Sequence, residues 1–146
     1  MADKFFVDTS ILIYAHDRSH AGDRSADRKH DRALKLVENL WSSGHGVIST
    51  QVLQELCVNL RRKTSQLIPS DEIRSLIQDY MSWEVVTNSP EAVLRALDIE
   101  SRYKTSFWDA LILQAAEQAS VKVLYSEDLA VRQNYGTVQV VNPLAD

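Results

Sequence analysis

The sequence predicts an α/β domain with a central parallel sheet of four to five short strands flanked by helices. Two observations predict it. Short apolar runs recur along the chain, and between them lie segments whose apolar residues are spaced three and four apart, the period of an amphipathic helix. Strands that alternate with helices build β-α-β units, and such crossovers make the strands parallel. The bulk numbers agree: 146 residues, 45% hydrophobic and 25% charged, suit one domain spanning 1–146, large enough to bury a core without disulfides.

The elements follow in order. Lys4-Phe5-Phe6-Val7 is an apolar run ending at Asp8 and reads as a buried first strand. Thr9 to Ala15 starts a helix. His16 to Asp31 is polar and of mixed charge, contains Gly22, and reads as a solvated loop or a frayed lead-in to the next helix. From Arg32 to Ser43, Ala33, Leu34, Leu36, Val37, Leu40 and Trp41 recur at helical spacing, and Gly44 and Gly46 close that helix. Val47-Ile48-Ser49 is a second strand. Gln51 to Lys63 is helical, with Val52, Leu53, Leu56 and Leu60 on one stripe. Pro69 to Glu72 opens a helix over Ile73 to Ser82, with proline near its start and acids in its first turn. Glu84-Val85-Val86 is the third strand. Ser89-Pro90-Glu91 opens a helix through Ser101, and Ser106 to Ala119 is a strongly apolar helix. Lys122 to Tyr125 is the fourth strand, and Val138 to Val141, after Gly136, the fifth.

Composition excludes several chemistries. Cys57 is the single cysteine, so no disulfide forms within the chain and no cysteine-rich zinc site exists; in the apolar run VLQELCV it reads as core filler and suits a reducing cytoplasm. The N-terminus lacks the pattern of a signal peptide, and no apolar run approaches the ~20 residues that span a bilayer, so a cytoplasmic protein without membrane contact is expected. There is no glycine-rich phosphate loop. The four histidines, His16, His20, His30 and His45, do not flank the acids closely, which argues against a His/His ribonuclease. A net charge of −4 speaks against a broad polyanion binder but not against a nuclease, because clustered metal-binding carboxylates raise the acidic count and bound metal reverses the local field.

Four carboxylates stand out: Asp8, Glu55, Asp109 and Asp128. Catalytic groups in parallel sheets gather beyond the carboxyl ends of strands. Asp8 directly follows the first strand and Asp128 lies just past the fourth. Each also has a plainer explanation. Asp8 is placed to cap the following helix. Glu55 lies on a polar helix edge, within reach of Asn59 and Arg62. Asp109 follows Ser106 by three residues, as in a capping box, yet its surroundings (SFWDALIL) are apolar, and a buried carboxylate is costly unless paired or bound to metal. Asp128 is a first-turn acid if Ser126 caps a short helix from Glu127, and of the two acids Glu127 is the one expected to be solvated.

Taken together, the motifs DTSILIYA at Asp8, STQVLQEL around Glu55, SFWDALIL at Asp109 and LYSEDL at Asp128 resemble those of the PIN-domain nucleases, most of all the VapC-type toxins of toxin–antitoxin pairs. The resemblance runs from Lys4 to Pro143. It implies a PIN-like three-layer sandwich and an acidic cluster that binds Mg²⁺ or Mn²⁺ and cleaves RNA. Asp8 and Asp109 would then be the principal metal ligands, completed by Glu55 and Asp128 directly or through water. Ser10 and Ser126 match small polar positions beside the cluster. The family also implies a cognate antitoxin protein and a homodimer, with exposed apolar residues on the early helices as the docking surface. Two departures stand out: the charged segment His16–Asp31 is long for its place, which leaves the substrate approach open, and the last acidic motif is short.

The chemistry accounts for the residue types. Hard oxygen ligands suit Mg²⁺, and a divalent ion polarises a phosphoryl oxygen and lowers the pKa of an attacking water. Without metal, packed carboxylates raise one another's pKa values, so partly protonated acids are expected. Arg61, Arg62 and Lys63, on the Glu55 helix, are candidate RNA contacts; Arg18, Arg24, Arg28, Lys29, Arg32, Arg102 and Lys104 are further candidates to hold phosphates. Trp108, Tyr14 and Tyr103 are candidates to stack on a base. Two other readings compete: a non-catalytic interaction module of the same fold, against which all four acids are present, and a phosphatase-like α/β domain using Asp8 as nucleophile, against which Asp8-Thr9-Ser10 lacks a second nearby acid.

Overall fold

The computed structural model describes residues 3–17, 22–63, 68–129 and 134–145. Its elements are β1 (Phe5–Val7), α1 (Thr9–His16), α2 (Arg24–Ser43), β2 (Gly46–Ser49), α3 (Thr50–Lys63), α4 (Ser70–Tyr80), β3 (Glu84–Val86), α5 (Pro90–Tyr103), α6 (Phe107–Gln118), β4 (Val123–Tyr125), β5 (Asn134–Tyr135) and β6 (Val138–Val141). The strands form one sheet in the order β3-β2-β1-β4-β6-β5. Every neighbouring pair is parallel except β5 with β6. This is the expected mostly parallel sheet flanked by helices. β1 sits at its centre, and Phe6 and Val7 are fully buried, as are Val47, Ile48, Leu124 and Val140 from the neighbouring strands. Ile11 and Leu12 of α1, Val52, Leu56 and Leu60 of α3, and Leu113 of α6 complete the core, with the half-buried Cys57 packed against it. Among the described residues no helix is long and apolar enough to cross a membrane.

Several boundaries differ from the sequence reading. The largest is α2, which starts at Arg24, so the second half of His16–Asp31 is the helical lead-in and not the loop. Asp23 caps it, its Oδ1 accepting from the backbone N–H of Ser25 at 3.0 Å and Ala26 at 3.2 Å. Periodicity does not show these turns because they bury no apolar stripe. Polar contacts hold them: His30 Nδ1 lies 2.7 Å from the Tyr14 carbonyl oxygen, and Lys29 pairs with Glu127 at 2.8 Å. Residues 18–21, with Arg18 and His20, lie outside the described residues. α4 opens at Ser70 and ends at Tyr80, and α5 runs on to Tyr103, closed by Lys104 at φ 56°. The hairpin strand β5 adds to the five strands expected; its two residues are too few to carry a pattern.

The two glycines expected to close α2 have separate jobs. Gly44, at φ 74°, is its left-handed cap. Gly46 is the first residue of β2, and a Cβ there would stand 2.5 Å from the Trp83 ring. Trp83 is buried and packs edge-on against Tyr80 and Trp41, so the ring has little room to retreat. Gly46→Ala is therefore expected to destabilise the chain by about 1–3 kcal/mol, the usual range for overpacking. Urea unfolding measures it, and an unchanged midpoint would show that the ring moves freely.

Candidate functional site

From β1 the sheet grows one way through β2 and β3 and the other way through β4 and β6. That reversal is a topological switch point, where connections leave in opposite directions and open a crevice beyond the carboxyl ends of the strands. Asp8 follows β1, and its N–H donates to the Tyr125 carbonyl at 2.9 Å, so the acid is fixed to the end of β4. A cavity of about 130 Å³ opens here. Asp8, Glu55, Asp109 and Asp128 all line it, with Thr9, Ser10, Gln51, Asn59 and Trp108 among their neighbours. Four acids from four separate segments thus face one volume.

Asp8 is buried and caps α1, as its plainer reading requires: Oδ1 accepts from Thr9 N at 2.8 Å. Its other oxygen faces the β4 loop. Oδ2 accepts from Ser126 Oγ at 2.7 Å and from Ser10 Oγ at 3.5 Å. Ser126 Oγ in turn accepts from the N–H groups of Asp128 and Leu129, each at 3.2 Å, and Ser10 Oγ accepts from Glu127 N at 3.2 Å. The two serines therefore stitch the acid loop to Asp8. Burial pushes the Asp8 carboxyl from 3.8 to about 6; the Ser126 and Thr9 hydrogen bonds oppose the rise, and the charges of Glu55 and Asp128 add to it. Repulsion between the acids, the cause anticipated from the sequence, is real but smaller than desolvation.

Glu55 is half-buried on α3, where Oε1 accepts from Thr9 Oγ1 at 2.8 Å. Asp109 lies in the first turn of α6, its N–H donating to Ser106 Oγ at 3.1 Å, so it belongs to a helix cap and to the cavity at once. Its carboxyl is also raised, first by burial, with Ser106 opposing and Asp128 contributing. Asp128 is exposed at the rim. The expectation that Glu127 is the solvated neighbour is corrected: Glu127 is the tethered one, paired with Lys29, whose ammonium also sits 5.3 Å from the Tyr14 ring centre. Ser126 does act as a cap would, but Glu127 to Leu129 form a bend, and residues 130–133 lie outside the described residues.

Of the other candidates, Trp108 stands at the cavity with 64% of its surface exposed. Tyr14 is half-buried beside Lys29 and Tyr103 packs edge-on against Tyr135, so neither is at the cavity. Arg61 and Arg62 are exposed on the last turn of α3; the side chain of Lys63 lies outside the described residues. No lysine, arginine or histidine is among the described residues lining the cavity. Thr9, Gln51 and Asn59 also line the cavity, although no motif marks them as site residues. A signal existed for two of them: Gln51 and Asn59 stand four residues before and after Glu55, hence on its face of the helix.

Among the described residues no three His, Cys, Asp or Glu side chains form a closed metal-ligating group. The donor set nonetheless fits a hydrated divalent cation. Carboxylate and hydroxyl oxygens are the hard donors that Mg²⁺ and Mn²⁺ prefer, and Mg²⁺ keeps several of its waters while taking only one or two carboxylates. At roughly 30 Å³ per water the cavity has room for about four.

A model of the PIN domain matches residues 5–136 of the chain. Comparison with the curated proteins gives no match. Solved structures give several. The VapC20 toxin of Mycobacterium tuberculosis, described as cleaving the sarcin-ricin loop, aligns with a TM-score of 0.61 at 21% identity, over 86% of this chain and 90% of that one. A toxin–antitoxin complex from Klebsiella pneumoniae aligns at 0.65 and 19% identity, over 96% and 98%. The VapBC2 complex of Rickettsia felis, bound to a DNA fragment from its promoter, aligns at 0.64 and 17% identity, over 94% and 97%. At these identities the likeness is one of fold.

Proposed function

The chain belongs to the PIN domain family, and from that premise we propose that it is a Mg²⁺- or Mn²⁺-dependent endoribonuclease, the toxin of a toxin–antitoxin pair acting in the cytoplasm. The observation that carries this reading is the convergence of Asp8, Glu55, Asp109 and Asp128 on one cavity at the switch point of the sheet. Relatives of the same fold that are toxins or toxin–antitoxin complexes support the biological role.

Asp8 and Asp109 would hold the cation, with Glu55 and Asp128 beside them. The ion would supply charge for the phosphoryl oxygens and lower the pKa of an attacking water. The chain's own residues do the rest. Thr9 N–H and Ser126 Oγ hold the Asp8 carboxylate from two sides, and Thr9 Oγ1 orients Glu55. Preset ligands of this kind spare the site reorganisation on binding. With its pKa raised to about 6, Asp8 holds a proton below that pH, so cation uptake there would release it. The exposed Asp128 faces arriving substrate, and exposed Arg61 and Arg62, with Lys63, would hold phosphates further along the strand.

A homodimer and a cognate antitoxin belong to the same proposal. Exposed apolar side chains concentrate on α5, at Val93, Leu94 and Leu97, more than on the early helices, where Trp41 and Val58 stand singly. Such a strip is the surface a protein partner covers.

Incubation of the purified chain with structured RNAs, in Mg²⁺ and in excess chelator, tests the enzyme. Cleavage is expected in Mg²⁺ alone, and cleavage that persists in chelator rules out the cation reading. Growth arrest on expression, relieved by co-expression of the neighbouring gene's product, tests the toxin role.

A further inference from the structure

Gln51 is buried, with 4% of its surface exposed, in the first turn of α3, one turn before Glu55, and it lines the cavity with Glu55 and Asp109. Its Nε2 donates to the carbonyl oxygen of Trp108 at 3.2 Å. Trp108 immediately precedes Asp109, so this bond joins the helix that carries Glu55 to the turn that carries Asp109. Only the amide nitrogen can serve a carbonyl, which directs the other end of the carboxamide elsewhere. There Oε1 is buried and has no hydrogen-bond partner among the described residues.

The two ends of this side chain have unequal energies. A neutral hydrogen bond contributes a net ~0.5–1.5 kcal/mol, whereas a buried acceptor left unpaired costs ~1–3 kcal/mol. An apolar side chain of the same length would serve folding at least as well. Nor is the bond needed to dock α6 as a whole. Further along that helix Gln114, also buried, donates to Asn88 Oδ1 at 2.8 Å, and Asn88 N–H reaches back to Thr50 Oγ1 on α3 at 3.5 Å. What the Gln51 bond adds is the placement of the first turn of α6, where Asp109 sits.

We propose that Gln51 is a positioning residue, retained at some expense of stability, that sets the span between Glu55 and Asp109 across the cavity. It acts on the cation through those two carboxylates, and this role rests on the cation-binding reading above. Gln51→Met keeps length and removes both polar ends; Gln51→Leu also removes them but is one atom shorter and branched, so a packing fault in one variant does not decide the result.

The test is Mn²⁺ binding by the full chain, measured by titration calorimetry, beside thermal unfolding without cation. Loss of an outer partner of a metal ligand typically weakens affinity ~10–100-fold. The expected result is Mn²⁺ bound about tenfold more weakly by both variants, with a melting temperature equal to or above that of the wild type. Affinities within about twofold of wild type overturn the proposal, set against that expected loss. A melting temperature that falls together with affinity, or failure of both variants to fold, also overturns it, because the side chain would then be holding the fold. A wild type that binds no Mn²⁺ overturns the cation reading itself. A wild type that binds it no better than the variants overturns only the role of Gln51.

Discussion

Asp8→Asn is expected to abolish RNA cleavage and to leave the cation-free chain more stable at neutral pH than the wild type. The loss of activity follows from position. Asp8 lies at the carboxyl end of the central strand, is held from both sides, and is buried in the cavity wall. Asparagine keeps that shape but removes the charge, so the drop should exceed ~100-fold, the upper end of what even an outer partner costs. The gain in stability follows from the raised pKa. The folded chain keeps a proton on Asp8 up to about 6, whereas the unfolded chain releases it near 3.8. Between those values folding binds a proton, so stability falls as pH rises through the window, and the deficit persists above it. The shift corresponds to ~3 kcal/mol at neutral pH, offset in the variant by poorer hydrogen bonds at Ser126 and Ser10, together ~1–2 kcal/mol. A net gain of ~1–2 kcal/mol remains, and the part of the pH dependence between about 4 and 6 that Asp8 supplies disappears. Urea unfolding across that range measures both. A wild type whose stability is flat from about pH 4 to 6 would remove the basis for the stability gain.

Ser126→Ala should act in the opposite direction. The Ser126 hydroxyl is wholly buried and serves three partners, donating to Asp8 Oδ2 and accepting from the N–H groups of Asp128 and Leu129. Alanine leaves all three without it. Asp128 is exposed and water can replace its bond, but Asp8 and Leu129 are buried. At ~1–3 kcal/mol for each of these two buried groups, a loss of ~2–6 kcal/mol is expected. The hydrogen bond also lowers the Asp8 pKa, so its removal moves that pKa further up and strengthens proton competition with a bound cation. Unfolding in urea gives the first quantity, and a carboxyl titration of Asp8 by NMR the second. A titration midpoint at or below that of the wild type would show that Ser126 does not support the ionised carboxylate.

Much of this molecule is legible before folding. The strands at Phe5, Val47, Glu84, Val123 and Val138 announce themselves because burial in a parallel sheet demands apolar runs. Asp8, Glu55, Asp109 and Asp128 are visible through their motifs, although local pattern alone explains each as a cap or a solvated acid. The caps exist, at Asp8 and Ser106, and the cavity includes those residues' helix ends as well. The first turns of α2 leave no apolar period, since His30, Lys29 and Asp23 hold them by polar contacts. Gly46 looks like a helix stop from its neighbours and is instead shaped by Trp83, far along the chain.

The sequence by itself determined which segments become strands and helices, and which acids are available, because periodicity and side-chain chemistry are local properties. Only the tertiary structure decided that four acids share one cavity, that Glu127 is tethered while Asp128 is exposed, and that Gln51 reaches Trp108. Those facts depend on strand order and helix docking. Burial, the main cause of the raised Asp8 pKa, likewise arises only when β1 is enclosed between β2 and β4.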